Sequence, residues 1–360
     1  MKYQSEPKYA QTFRIEFGNC RDVKMLFVGC FVLLAFSSLV VPKTIAQDLV
    51  GDLKQYPHQI VFESYDTDNW ELFVMNADGS DRRKLTSTKG LHELYPQVSP
   101  DGTKICFLGD TYVDGVVNRS VYLMDIDGSN RIKIADQSRQ PCWSPDSSKI
   151  AYVKQEFKKF NVADYVSKGM FFYDVKTKKT TEHPNPAIHH LYNLTWPDKN
   201  WILSTVHGGM GFGHAIIAIE VDGDKVIDLK ISGCRPCASP SGKQITWSQN
   251  DHTVCVADLV LTADSARVEK IRVLAQSKTL HLYHPDFSPT GDYVTYSSGT
   301  GGRVAASGPG TFTQVAEMIG VRGPWDIYIK RVDGHGEALR LTKDPKLSNK
   351  ESEWLPRKAK

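Results

Sequence analysis

His92, His189 and His281 occupy one and the same place in a recurring stretch of this chain, and three residues further on stand Tyr95, Tyr192 and His284. In the copies without that histidine, the later place holds Gln140, Arg235 and Glu351. Every one of these later residues can hydrogen-bond, and His190 sets a second imidazole beside His189. Three imidazoles brought to one point could hold a divalent ion. Zinc or manganese takes nitrogens at roughly 2.0 to 2.3 Å with each ring steered by an acceptor behind it, for which Glu93 and Glu351 are candidates. Without a metal the same groups form a polar ligand site that needs no cofactor.

The elements that carry these residues repeat. Pro96-Gln97-Val98-Ser99-Pro100-Asp101-Gly102 recurs as Pro141-Cys142-Trp143-Ser144-Pro145-Asp146-Ser147, Pro236-Cys237-Ala238-Ser239-Pro240-Ser241-Gly242 and Pro285-Asp286-Phe287-Ser288-Pro289-Thr290-Gly291, with a weaker copy at Asn193-Leu194-Thr195-Trp196-Pro197-Asp198. An apolar run follows each, such as Lys104-Ile105-Cys106-Phe107 or Tyr293-Val294-Thr295-Tyr296. Strand, tight turn and strand make a hairpin. A third strand (Val121-Tyr122-Leu123-Met124, Ile327-Tyr328-Ile329) and a fourth (Arg83-Lys84-Leu85-Thr86, Leu339-Arg340-Leu341-Thr342) complete a unit. Four strands at a period of roughly 40 to 50 residues predict propeller blades, because a small sheet has two apolar faces that only neighbouring blades can cover. The first unit, from Ile60 to Thr86, lacks its own phrase, and the chain ends in Ser352-Glu353-Trp354-Leu355-Pro356. The expectation is an all-β, six-bladed β-propeller in which the C-terminal strand closes the first blade and protects its edge. The histidine place and the one before the phrase then converge at one mouth of the channel, which His207, His214 and His252 also border.

At the Ser-Pro-Asp-Gly phrase, and at Glu71-Leu72-Phe73-Val74-Met75-Asn76-Ala77-Asp78-Gly79-Ser80 closed by Leu85-Thr86, the chain resembles the TolB-type propeller repeats. The resemblance implies the fold. It leaves function open, since such blades serve periplasmic scaffolds, peptidases and polysaccharide lyases. TolB's separate N-terminal α/β domain has no room between Gln47 and Ile60, and no Gly-x-Ser-x-Gly elbow marks a hydrolase. Oligogalacturonate lyases look similar in combining such blades with a histidine-bound metal, so a metal-dependent enzyme acting on a polysaccharide is the alternative to a binding scaffold.

Other motifs have plainer readings. Asn76-Ala77-Asp78-Gly79-Ser80 and Asp125-Ile126-Asp127-Gly128-Ser129 start like calcium loops but lack the bidentate Glu at the twelfth place, and read as hairpin turns. Gly209-Met210-Gly211-Phe212-Gly213 and the stretch from Gly299 to Arg322 lack phosphate-cradle context and read as mobile loops, the second a lid. Cys234-Arg235-Pro236-Cys237 has no second pair, which favours buried thiols or one disulfide. Asn118-Arg119-Ser120 and Asn193-Leu194-Thr195 fit the glycosylation pattern.

Met25 to Val41 is an uncharged apolar run after Arg21 and Lys24, followed by Pro42 and by Thr44-Ile45-Ala46-Gln47. This order predicts a secretory signal over residues 1–46 and a single propeller domain over 47–360, with an uncleaved anchor as the alternative. Residues 1–46 carry six bases and three acids of the chain's 44 and 41, so the remainder holds 38 of each. A neutral mature chain argues against nucleic acid as a partner. The sequence therefore describes a periplasmic or secreted propeller, without a membrane span after cleavage, that binds a protein or carbohydrate ligand at a channel mouth.

Overall fold

The structure, a computed structural model, describes residues 49–114, 116–156, 166–300, 303–305, 313–315, 319–320 and 323–356. The expected leader lies outside them. Within the described residues six four-stranded antiparallel sheets form the blades of a propeller, and a two-stranded ribbon (Arg303–Ala305, Thr313–Val315) is inserted in the last.

Blade 1 is built of Ser348–Pro356, His58–Asp66, Asn69–Asn76 and Arg83–Lys84, from the inside outwards. Blades 2 to 6 begin with inner strands His92–Val98, Ser138–Trp143, Leu191–Thr195, Cys234–Ala238 and His281–Phe287. The closure read from the sequence is present: Ser348–Pro356 runs antiparallel to His58–Asp66, with Gln59 opposite Leu355 and Ile60 opposite Trp354. A helix at Leu49–Gln55 clasps the seam between blades 6 and 1. There Leu53 is buried, Asp52 pairs with Arg331, and the Tyr56 hydroxyl lies 2.8 Å from Thr290 Oγ1.

Seven consecutive residues of His58–Asp66 are buried, because both faces of the sheet are covered by a neighbour. Ile60 and Phe62 pack against Ile327 and Ile329 of blade 6, whereas Val61 packs with Ile105 and Phe107 of blade 2. The core is thus a ring of interfaces between blades. Indole N–H groups tie some of them: Trp143 donates to the Gln97 carbonyl at 2.9 Å and Trp201 to the Thr262 carbonyl at 2.6 Å.

Each inner strand carries a bulge at the start of its phrase, where the register slips between Leu94 and Gln97, Arg139 and Cys142, Tyr192 and Thr195, Cys234 and Cys237, Tyr283 and Asp286, and opposite Phe62/Glu63. At the bulge one non-glycine residue takes positive φ: Tyr95 (48°), Gln140 (56°), Asn193 (53°), Arg235 (58°), His284 (54°) and Glu351 (47°). That conformation is uncommon for such residues and needs support. It comes from side chains that accept the freed N–H: Glu63 Oε2 from Tyr95 at 2.9 Å, Gln140 Oε1 from Asn193 at 3.0 Å, and Thr205 Oγ1 from Arg235 at 3.0 Å. The proline that follows in four copies removes the next donor altogether.

Candidate functional site

The histidine-bearing end of the channel does not gather its imidazoles. Among the described residues no group of three or more His, Cys, Asp or Glu stands close enough to hold a metal ion. Each of these rings is held by local contacts, although His281 Nδ1 is buried without a hydrogen-bond partner among the described residues. His92 Nδ1 accepts from the Trp70 N–H at 3.2 Å, and its ring meets Tyr112 edge-on. His189 Nδ1 lies 2.6 Å from the Ala187 carbonyl, and its Nε2 accepts from the Met210 N–H at 3.2 Å. His281 packs edge-to-face on His252 with ring centres 4.8 Å apart. His190 Nε2 is 3.2 Å from Glu156 and its Nδ1 2.9 Å from the Gly208 carbonyl. Six-fold repetition fixes where these residues start along the strand, but local loop contacts turn the rings.

Much of the expected lid lies outside the described residues. Ile319 is buried against the core that joins blades 2 and 3, and its carbonyl lies 3.4 Å from Arg119 Nη2. Arg119 itself makes a buried two-pronged pair with Asp110, 2.7 Å at each prong. Since Asp110 pairs with His92 across the sheet, this contact lies at the histidine-bearing end of blade 2.

A cavity of about 340 Å³ lies at the opposite end, where the hairpin turns of blades 2 to 6 converge with the end of the closing strand of blade 1. Two tiers of side chains line it, one at the bulge and one two residues further along each inner strand. The deeper tier contributes Tyr95, Asn193, Arg235, His284 and Glu351, all buried. The nearer tier is Gln97, Cys142, Thr195, Cys237, Asp286 and Glu353. Of the residues singled out in the sequence, Tyr95, Arg235, His284 and Glu351 border this cavity, and His92, His189, His190, Tyr192 and His281 lie outside its lining.

Tyr192 is displaced by one residue. Its equivalent at the bulge is Asn193, because the turn to the next strand in blade 4 is one residue shorter and no proline marks the bulge. Tyr192 instead turns its hydroxyl to His214 Nε2 at 2.8 Å. The nearer tier falls two places beyond the bulge residue in each copy of the phrase, so the repeat carries its positions.

Burial governs the electrostatics. His284 Nε2 and Glu351 Oε1 are 2.8 Å apart with both side chains buried. Desolvation, opposed chiefly by Arg235, pushes the Glu351 carboxyl up to about 7. Asp286 and Glu353 share a hydrogen bond, so one of them carries a proton; desolvation raises Asp286 to about 7 and Glu353 well above the usual carboxyl range. Cys237 Sγ donates to Asp286 Oδ1 at 3.0 Å, and burial pushes the thiol pKa up, which keeps it un-ionised. The five described cysteines are free thiols, so the alternative of a disulfide at Cys234 and Cys237 is not realised.

The remaining motifs resolve simply. In Asn76–Ser80 and Asp125–Ser129 backbone bonds of 2.8 and 2.9 Å close tight hairpin turns, as read. Gly209–Gly213 is no loose loop. Gly209 pairs with Phe212, and Met210 and Gly211, both at positive φ, form the two-residue turn of a hairpin.

Blade number, closure by the C-terminal strand and a polar axial cavity define a six-bladed propeller closed by its last strand. Within that class the chain is similar to TolB from Acinetobacter baumannii, with a TM-score of 0.60 at 18% identity over 83% of this chain and 67% of that one. It is also similar to a putative TolB from Agrobacterium tumefaciens (TM-score 0.52, 16% identity, 83% of this chain and 99% of that one). Hydrazine synthase from Kuenenia stuttgartiensis shares the architecture at a TM-score of 0.56 and 12% identity, over 84% of this chain and 47% of that one. These identities speak for the fold alone. No protein-family model matches the sequence, and no curated protein matches it significantly.

Proposed function

We propose that the chain is an exported propeller that binds a protein segment or carbohydrate in the cavity at the hairpin-turn end of its channel, as a scaffold without catalysis of its own. The observation that carries this reading is the cavity: about 340 Å³, bordered by every blade, with a polar tier beneath a rim of prolines and aromatic side chains. Ligand sites have this form, a largely apolar wall with a few convergent polar groups. The reactive groups in the wall are tied to one another, Cys237 to Asp286 and Asp286 to Glu353, which suits holding a ligand better than attacking one. The order of basic flank, apolar run and Ala46 supports export, to the periplasm or outside the cell.

Trp143, Trp196 and Trp354 border the cavity, so their fluorescence reports its occupancy. Short peptides and oligosaccharides are to be screened against the protein and against Gln97→Trp, which fills the space from a half-buried position. A ligand that binds the first and not the second supports the site. Equal binding to both refutes it.

A further inference from the structure

We propose that the cavity takes a primary ammonium group carried on an apolar stalk, such as a lysine side chain in a peptide. The inference rests on the cavity being the ligand site, and three features of its wall carry it.

The entrance is a collar of Pro100, Pro145, Pro197, Pro240, Pro289 and Pro356, one from each blade. Rigid pyrrolidine rings have no charge and no N–H, so the collar suits methylene groups. Beneath it stand Asp286 and Glu353, the latter roughly 10 Å from Pro356 along the closing strand at about 3.3 Å per residue.

Among the described residues, that carboxyl pair has no counter-cation of its own. Its neighbours are each other, the Cys237 thiol and the backbone N–H groups of Phe287 and Trp354. Arg235 and His284 also face the cavity, but both serve Glu351 one tier deeper, and Arg235 lies over the Tyr283 ring at 5.0 Å. Tyr95 adds only a neutral hydroxyl. Two acids screened from water without a cation keep a proton between them, and an incoming ammonium can replace it.

The third feature is a donor. Trp354 is 3% exposed and borders the cavity, and its indole N–H has no hydrogen-bond partner among the described residues. A buried polar group of that kind calls for an acceptor. A peptide carbonyl at the base of the stalk supplies one, which favours a lysine within a chain over a free amine.

The experiment titrates the purified protein with Nα-acetyl-lysine N-methylamide, with its Nε-acetylated form and with glycylglycinamide, following tryptophan fluorescence and NMR shifts between pH 6 and 8. The lysine derivative should bind with a millimolar Kd, and acetylation of the amine should weaken it by about tenfold or more. Affinity should rise with pH as the carboxyls give up their proton. Asp286→Asn and Glu353→Gln, each checked by its melting curve, should lose binding by a similar factor. Equal binding of the acetylated form, retention of affinity in both variants, or no binding of the lysine derivative overturns the ammonium assignment. Tighter binding of glycylglycinamide overturns the stalk. If Gln97→Trp binds the lysine derivative as well as the unchanged protein does, the cavity itself is refuted; if a screened sugar or peptide fills the cavity and no amine does, only the ammonium is lost.

Discussion

His284 of blade 6 and Glu351 of the closing strand meet at 2.8 Å on the channel wall, and neither side chain is more than 5% exposed. The contact joins the last blade to the chain end that completes the first. Removing one partner from a buried pair leaves the other unsatisfied, typically at about 3 to 5 kcal/mol. Glu351→Ala and His284→Ala should each lower the melting temperature clearly, and a double-mutant cycle should show coupling of about 1 kcal/mol or more. Additive losses would mean that the two side chains stabilise the seam independently.

Trp354 carries the packing side of the same closure. It sits in the core between blades 6 and 1 with Tyr56, Ile60, Ile327 and Ile329. Truncating a buried aromatic costs about 3 to 5 kcal/mol. Trp354→Ala should therefore unfold at markedly lower denaturant concentration, and deletion of residues 351–360 should lower melting further because Ile60 and Phe62 lose their strand partner. Unchanged melting of the deleted chain is incompatible with closure by this strand.

The blades were legible because the phrase repeats a physical unit, a hairpin with its turn residues, and the terminal Trp354-Leu355-Pro356 supplied the missing copy. Site residues were legible only where the repeat continued unbroken. Tyr95, Arg235, His284 and Glu351 fell at the bulge as counted, whereas Tyr192 did not, because the blade 4 turn is one residue short. Asp286 and Glu353 line the cavity two places beyond His284 and Glu351, inside the phrase, where the repeated residues vary in type and no single chemistry marks them. The histidines mislead for another reason. Equal places along a strand guarantee equal starting points, not equal ring directions, and His189 is held by Ala187 and Met210 while His281 leans on His252.

The leader makes a separate prediction. Arg21 and Lys24, the apolar run to Val41 and the short residues before Gln47 occur in the order that signal peptidase reads. N-terminal sequencing of the exported protein should begin near Gln47. A mature chain that still carries Met25 to Val41 would establish the anchor instead.

Stability should fall as pH rises from 6.5 to 8. Burial holds the carboxyls of Glu63, Asp286 and Glu351 at about 7 and that of Glu93 at about 8. In the unfolded chain all four are ionised throughout this window, near 4. The folded state then binds more protons than the unfolded one, so each group's contribution is lost as pH climbs through its folded value. Histidines do not reverse the trend here. Burial lowers His58, His92, His183 and His214, and that effect destabilises only as pH drops below the unfolded value of about 6.5. The melting temperature should be a few degrees higher at pH 6.5 than at pH 8, at roughly 2 to 4 °C per kcal/mol for a chain of this size or somewhat smaller. Glu93→Gln should flatten the slope most above pH 7, because Glu93 keeps its proton longest among these four. A melting temperature that rises between pH 6.5 and 8 would show that these carboxyls are ionised in the folded protein.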